Sequence, residues 1–178
     1  MSVSNRSTAA AGLIALVCLL AGCATATKPE DMVAEKVAVA HPSSSDVSIV
    51  VAGGKETSST GASQISNDAF AQALRDSITK SGLFTAVAAS GGRYKLTAFI
   101  GKVDQPMMGF SMTVKMEVSY TLADSQSNKS VWSKDVASEY TASAGAAFAG
   151  VERLRLATEG AAKANIQQAM TEMAALQL

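Results

Sequence analysis

The sequence predicts an α+β domain in which two helices pack on one face of an antiparallel sheet. Residues 110–122 alternate apolar and polar side chains without a break, and the flanking segments alternate nearly as regularly. A period of two is typical of antiparallel strands with one face buried. Two further segments repeat apolar residues at helical spacing and need an apolar surface to cover. The predicted order is β-α-(β)-β-β-β-α: an N-terminal strand, a helix, a short optional strand, a meander of three long strands and a closing helix.

The first half of the domain begins with VSIVVA, residues 47–52, a short β-branched run that predicts a buried strand. A helix follows, with Ser66 as its N-cap and Gly82 just beyond its last turn. Its apolar stripe recurs every four residues, at Phe70, Leu74 and Ile78. The run FTAVAAS, residues 84–90, is short enough to be either a strand or an irregular connection.

Three long strands are predicted next. The first, RYKLTAFIGKVD, contains Gly101, which we expect to form a β-bulge that returns Val103 to the buried side. The second, FSMTVKMEVSYTLAD, points its apolar residues inward: Phe110, Met112, Val114, Met116, Val118, Tyr120 and Leu122. The third, VWSKDVASEYTA, follows the turn DSQSNKS and shares a face through Trp132, Val136 and Tyr140.

The closing helix is predicted to run from about Phe148 to Met173. Its apolar stripe comprises Leu154, Ala157, Ala161, Ala164 or Ile166, Ala169, Met170 and Met173. Gly160 and the alanines beside it are small, so we expect the helix to lie close to the sheet.

An apolar run at Ala9–Gly22 precedes the domain and predicts a secretory signal peptide. It has about 14 residues, whereas a membrane-spanning helix needs roughly 20. One cation, Arg6, lies before the run, and small residues follow it. We therefore expect residues 1–22 to be removed, Cys18 among them, which leaves Cys23 as the only cysteine of the mature chain. No disulfide is then possible.

The sequence Leu20-Ala21-Gly22-Cys23 resembles the lipobox of bacterial lipoproteins. The resemblance implies that the Cys23 thiol is diacylated, that the chain is cut before it and that the new amine receives a third acyl chain such as palmitate. Three chains exceed what stable membrane anchoring requires. Ala24, by the same resemblance, implies sorting to the outer membrane, with the protein on its periplasmic face.

Residues 23–45 are predicted to form the lipidated N-terminus and a flexible tether, with the single domain at residues 46–178. The tether is rich in Thr, Ser, Pro and charged residues, and its stretch MVAEKVAVA, residues 32–40, fits either a strand or a helical turn. His41, the only histidine, lies beside Pro42 in this polar stretch and is expected to face solvent.

The order of elements over residues 47–176 resembles the small periplasmic α+β lipoproteins of the LptE-like, YajG-like and transport-auxiliary types. The match is carried by DAFAQALRDSITKSGLF, YKLTAFIGKV, MTVKMEVSYTLADS, VWSKDVASEY and LATEGAAKANIQQAM. These families share no catalytic residues. The resemblance therefore implies an accessory subunit of an envelope assembly or transport machine. A stand-alone binding module for lipid, lipopolysaccharide or peptidoglycan is the alternative.

Composition indicates neither nucleic-acid binding nor catalysis. The chain has 178 residues with 15 basic and 15 acidic side chains, and removing residues 1–22 takes away only Arg6 from these. A nucleic-acid-binding domain would have a clear basic excess. The carboxylates are scattered, a catalytic triad would have to use His41 as its base, and no metal-ligand cluster is recognisable. We therefore expect no enzyme activity, no metal and no cofactor.

The connection DQPMMGF between the first two long strands is unusually apolar for a hairpin tip. Either its methionines fold under a helix as core, or they stay at the tip as a pliable surface for a partner protein or lipid. In the second case the candidate contact residues are Pro106, Met107, Met108 and Phe110. Met112 and Met116 lie in phase with the buried face and are predicted to be core.

Overall fold

The computed structural model describes residues 24–58 and 62–178, which form a five-stranded sheet with two α-helices on one face. The strands are β1 (Val47–Ala52), β2 (Val87–Ala88), β3 (Tyr94–Asp104), β4 (Met112–Asp124) and β5 (Lys129–Ala142), and the helices are α1 (Asn67–Ser81) and α2 (Gly150–Ala174). Across the sheet the strands lie in the order β2-β1-β3-β4-β5. The opposite face of the sheet carries mostly polar side chains along β3 and β4, with Phe99 of β3, which is 51% exposed, among them.

The prediction of an antiparallel sheet is wrong, because the sheet is mixed. β1 pairs in parallel with both β2 and β3, whereas β3, β4 and β5 pair antiparallel as a meander. The cause is the helix between β1 and its neighbours: a chain that crosses one face of a sheet through a helix returns in its original direction. The observed order also begins with a 3-10 helix at Pro29–Met32, which the predicted order lacks. The short strand that the prediction left optional is present as β2.

The ends of α1 lie where the sequence predicts them. Ser66 Oγ accepts a hydrogen bond from the backbone N–H of Ala69 at 3.1 Å. Gly82 has a left-handed backbone with φ of +67°, and its N–H donates to the carbonyl oxygen of Ile78 at 3.1 Å. The predicted apolar stripe of this helix is fully buried. Local capping chemistry thus sets both boundaries.

The long strands carry the predicted alternation, with one error. The register between β3 and β4 shifts between Ile100 and Lys102, so the bulge predicted at Gly101 is confirmed. The inward side chains of β4 are buried from Met112 to Leu122. The inward position predicted for Phe110 is wrong, since β4 begins only at Met112 and Phe110 is 88% exposed in the preceding loop. The alternation of the sequence continues past the point where strand pairing ends.

Helix α2 packs closely on β4 and β5. Gly160 permits this approach, because a Cβ atom there would lie 2.3 Å from the ring of Tyr140. Tyr120 is fully buried beneath the helix and its hydroxyl donates to Asn165 Oδ1 at 2.9 Å. The helix begins at Gly150, two residues later than predicted, which leaves Phe148 in the loop before it.

The N-terminal segment differs from a flexible tether over residues 25–36, which we call the strap. Met32 is fully buried in the main core, and Val33 and Ala34 are 2% exposed. The backbone N–H of Ala34 donates to Ser77 Oγ of α1 at 2.9 Å. Beyond the 3-10 helix, residues 33–40 have no regular structure, and His41 is exposed as predicted.

Candidate functional site

Two uncharged loops lie side by side at one end of the sheet. Residues 105–111 connect β3 to β4, and residues 143–149 connect β5 to α2. Met112 at the start of β4 pairs with Ala142 at the end of β5, so the two loops leave from adjacent strands at the same end. Neither loop contains Asp, Glu, Lys or Arg.

These loops expose large apolar side chains. Met107 is 99% exposed, Met108 84%, Phe110 88% and Phe148 100%. We call these four residues the apolar end. Single exposed apolar residues are ordinary, but a group of large ones on uncharged loops is typical of a surface that contacts a partner or a membrane.

The structure places the candidate residues of the first loop outside the core. Met107, Met108 and Phe110 face solvent, and Pro106 is half-buried at the base of the loop. The alternative in which the two methionines fold under a helix is therefore not the observed arrangement. Met112 and Met116 are core, as predicted, with exposures of 6% and 2%. That the loop binds a partner or lipid stays a prediction.

Phe148 belongs to the same surface, but sequence reasoning missed it. The guanidinium of Arg153 donates from Nη1 to the carbonyl oxygens of Ala147 and Phe148, at 2.7 and 2.9 Å. These hydrogen bonds fix the loop ahead of α2 and hold Phe148 outward. The signal available in the sequence was the uncharged run SAGAAFAG, which the prediction divided between a connection and the first turn of the helix.

The strap enters the fold at this same end of the molecule. Ser63 Oγ donates to the carbonyl oxygen of Thr25 at 2.6 Å, and Gln105 Nε2 donates to the carbonyl oxygen of Ser63 at 2.6 Å. Gln105 is the first residue of the loop that carries Met107 and Met108. The predicted lipidation site, Cys23, lies outside the described residues, two positions before Thr25.

A buried ionic cluster locks the strap against α2. Arg155 and Glu159 are 5% and 2% exposed, and Arg155 Nη1 donates to Glu159 Oε1 at 2.5 Å. The same Glu159 oxygen accepts the backbone N–H of Lys28 at 2.8 Å, and Asp31 Oδ2 lies 3.5 Å from Arg155 Nη1. Arg155 also pairs with Glu152, one turn earlier on the helix.

The pKa values of the charged groups in this cluster are shifted in different directions. Burial raises the pKa of Glu159. The hydrogen bond from Arg155 lowers the pKa of Glu152, and the same bond raises the pKa of Arg155. Arg155 is therefore a permanent cation whose partners come from the strap and the helix together. The cluster has a structural role, since Arg155 joins Asp31 of the strap to Glu152 and Glu159 of α2.

Two kinds of feature are absent from the described part of the chain. Within residues 24–58 and 62–178, no three His, Cys, Asp or Glu side chains are grouped closely enough to hold a metal ion. No helix in the same ranges is both long and apolar enough to cross a membrane. The feature that remains to be explained is the apolar end.

Replacing both Met107 and Met108 with Ser is expected to leave the stability of the protein almost unchanged. Exposed substitutions usually shift the free energy of unfolding by no more than about 0.5 kcal/mol. The matched control is Met116→Ser, which removes a buried methionine and should cost roughly 2–5 kcal/mol. Thermal melting of the three proteins decides the matter. A double variant that melts as low as the control would mean that the loop methionines are core.

Comparison with known proteins bears on the fold. A DUF330-family protein from Xanthomonas campestris has a TM-score of 0.58 and 19% identity, over 85% of this chain and 93% of that one. PelC from Paraburkholderia phytofirmans, crystallised as a dodecamer, has a TM-score of 0.49 and 12% identity, over 76% and 93% of the two chains. A minor lipoprotein from Acinetobacter baumannii has 0.48 and 12%, over 75% and 93%.

Only the first of these likenesses is strong enough to indicate a shared architecture, because the other two TM-scores lie below 0.5. At 19% identity it extends to the fold and no further. The sequence matches no protein-family model, and a search of curated proteins finds no match.

Proposed function

We propose that the protein is a non-enzymatic lipoprotein of the bacterial envelope. Acylated Cys23 would anchor it to the periplasmic face of the outer membrane, where it serves an assembly or transport machine as an accessory subunit. The observation that supports the membrane location is the apolar end: four exposed apolar side chains at the end of the domain where the strap, which leads back to the lipobox cysteine, joins the fold.

The strap supports an anchoring role for the N-terminus. A chain that merely trailed from the domain would have no need to bury Met32 or to engage Arg155 and Glu159. Here Thr25, two positions after Cys23, is hydrogen-bonded to Ser63 of the fold. An anchor at Cys23 would therefore hold the domain to the membrane by a defined end. An accessory subunit benefits from such a fixed orientation, because its partner in the same membrane then meets a constant surface.

Co-purification tests the accessory role. The tagged protein is extracted from envelopes in mild detergent, and an unrelated outer-membrane lipoprotein is purified in parallel to identify proteins that only share the micelle. We expect one envelope protein to follow this chain in constant ratio and to be missing from the parallel purification. A protein that elutes alone, with no such companion, contradicts the accessory role.

One structural feature favours the alternative of a stand-alone binding module. An open groove of about 590 Å³ lies between β5 and α2, with Tyr140, Leu156 and Ala164 in its lining and Lys163 at its rim. This volume is within the range of small-molecule sites. If that alternative holds, the protein should elute alone and carry lipid, lipopolysaccharide or peptidoglycan fragments detectable by mass spectrometry.

A further inference from the structure

We propose that the apolar end seats on the surface of the lipid bilayer that holds the anchor. Lipid, rather than a partner protein, then covers Met107, Met108, Phe110 and Phe148. The inference rests on the proposed acylation of Cys23 and goes beyond it by naming what the exposed side chains touch and how the domain is oriented.

The anchor would lie at the same end of the domain as the apolar end. Thr25 is tied through Ser63 to Gln105, two residues before Met107. Two residues of extended chain span at most about 7 Å. The acyl chains on Cys23 would therefore enter the bilayer within about 7 Å of Thr25, at the end of the domain that also presents Met107 and Met108. Attachment at that point brings the apolar end to the membrane without any movement of the domain.

The connections at the two ends of the sheet differ in polarity. The loops of the apolar end carry no charged residue. At the opposite end, Asp124 forms an ion pair with Arg93, and the turn between β4 and β5 consists of Ser125, Gln126, Ser127 and Asn128, followed by Lys129. Transfer of apolar groups from water to the boundary between head groups and acyl chains is favourable, whereas transfer of charged groups is unfavourable because they lose hydration there. The two uncharged loops thus match a membrane surface, whereas the charged and polar turn at the opposite end matches water; the nearest exposed charges at the apolar end, Lys102 and Asp104, lie on β3 and pair with each other.

Both loops are tied to α2 by hydrogen bonds. Gln105 also donates to Thr158 Oγ1 of α2 at 3.0 Å, and Arg153 clamps the backbone around Phe148. A Cβ atom added at Gly150 would lie 3.6 Å from Met112 Cε, so the start of α2 is close to the start of β4. Each loop is therefore tied to the fold next to its apolar side chains, the first through Gln105 and the second through the backbone at residues 147 and 148.

A protein partner fits this end less well than lipid. Three acyl chains hold the N-terminus at the bilayer, and a partner that covered Met107 and Phe148 would have to occupy the space between the domain and the membrane surface beside those chains. Lipid is already present there once the anchor has inserted.

Site-specific fluorescence tests the orientation in the complete lipidated protein. The mature chain has no free thiol once Cys23 is acylated and residues 1–22 are removed, so Met108→Cys and Phe148→Cys each supply one reactive site. Gln126→Cys, exposed in the turn at the opposite end, is the matched control. Each variant is labelled with an environment-sensitive dye and reconstituted into vesicles of phosphatidylethanolamine and phosphatidylglycerol that contain nitroxide-labelled lipid.

We expect the dyes at residues 108 and 148 to be quenched several-fold more than the dye at residue 126. Adding Met107→Ser and Phe110→Ser to the Phe148→Cys chain should reduce the quenching at residue 148. Equal, low quenching at all three sites in protein whose intact mass includes the acyl chains would overturn the inference and leave the proposed anchoring in place. An intact mass without acyl chains would overturn the proposed anchoring, and this inference with it. Dyes that are shielded from water in native envelopes, but exposed to water in vesicles that contain no other protein, would assign the surface to a protein partner and overturn the inference.

Discussion

Replacing Cys23 with Ala is expected to abolish acylation and to block processing, so that the chain keeps residues 1–22 and carries no acyl chain. Without the thiol there is no atom to carry the diacylglycerol, and the cleavage that exposes the amine for the third acyl chain has no lipidated substrate. Each buried CH₂ contributes about 0.8 kcal/mol to membrane binding, so the variant loses the three-chain lipid anchor and keeps only the apolar run of residues 9–22 as an attachment.

Labelling with radioactive palmitate, followed by fractionation, measures this effect. The matched control is Cys18→Ala, which removes a cysteine from the segment that is predicted to be discarded and should leave both label and membrane association intact. Label that persists in the Cys23→Ala protein, or that disappears in the Cys18→Ala protein, would remove the basis of the anchoring proposal.

Replacing Arg155 with Met is expected to destabilise the fold more than any surface change in the molecule. The variant leaves Glu159, which is 2% exposed, without its cationic partner, and weakens the attachment of the strap through Lys28 and Asp31. Breaking a buried pair from one side typically costs about 3–5 kcal/mol. Chemical denaturation of the purified variant and the parent protein measures the difference.

Two further variants isolate the cause of this loss. Lys102→Met removes a cation from an ion pair with Asp104 in which Lys102 is 63% exposed, and such surface pairs contribute about 0–1 kcal/mol. The double variant Arg155→Met with Glu159→Leu replaces both buried charges with apolar groups, and should recover part of the stability. If Arg155→Met costs no more than Lys102→Met, the cluster does not hold the strap.

Features that depend on neighbouring residues could be predicted from the sequence. The cap at Ser66, the left-handed residue Gly82 and the bulge at Gly101 each follow from the chemistry of a few adjacent positions. The same holds for the buried face of β4, because the alternation of side chains is a local property of the strand.

The direction of β1 could not be read from such patterns. A short run of apolar residues such as VSIVVA looks the same in a parallel and an antiparallel sheet. What decides the direction is the path of α1 across the sheet and the placement of β1 between β2 and β3, which involve pairings some 40 residues apart, such as Val47 with Val87 and with Tyr94. The strand–helix–strand order carried this information, but the clean alternation of the later strands favoured an antiparallel sheet throughout.

The strap was hidden for a related reason. Its composition is polar, and the hydrogen bond from Lys28 to Glu159 joins residues 131 positions apart. On α2, Glu152, Arg155 and Glu159 are spaced three and four apart, and this spacing is equally typical of a solvated helix face. The burial of Arg155 and Glu159 in the folded chain, beside a strap whose Met32 lies in the core, shows that these charges are covered.

Three of the four residues of the apolar end were accessible from the sequence. The loop with Met107 and Met108 stands out because it is apolar where a hairpin tip should be polar. Phe148 does not stand out, since it continues the apolar residues of the following helix. Its proximity to the first loop follows from the pairing of Met112 with Ala142, which is a property of the folded sheet.

The intact mass and N-terminal fragment spectrum of the protein purified from bacterial envelopes test the central claim most directly. The account predicts a mature chain that begins at Cys23, with three acyl chains on that residue and residues 1–22 absent. A chain that retains residues 1–22, or one that begins at another position and carries no acyl group, would contradict it.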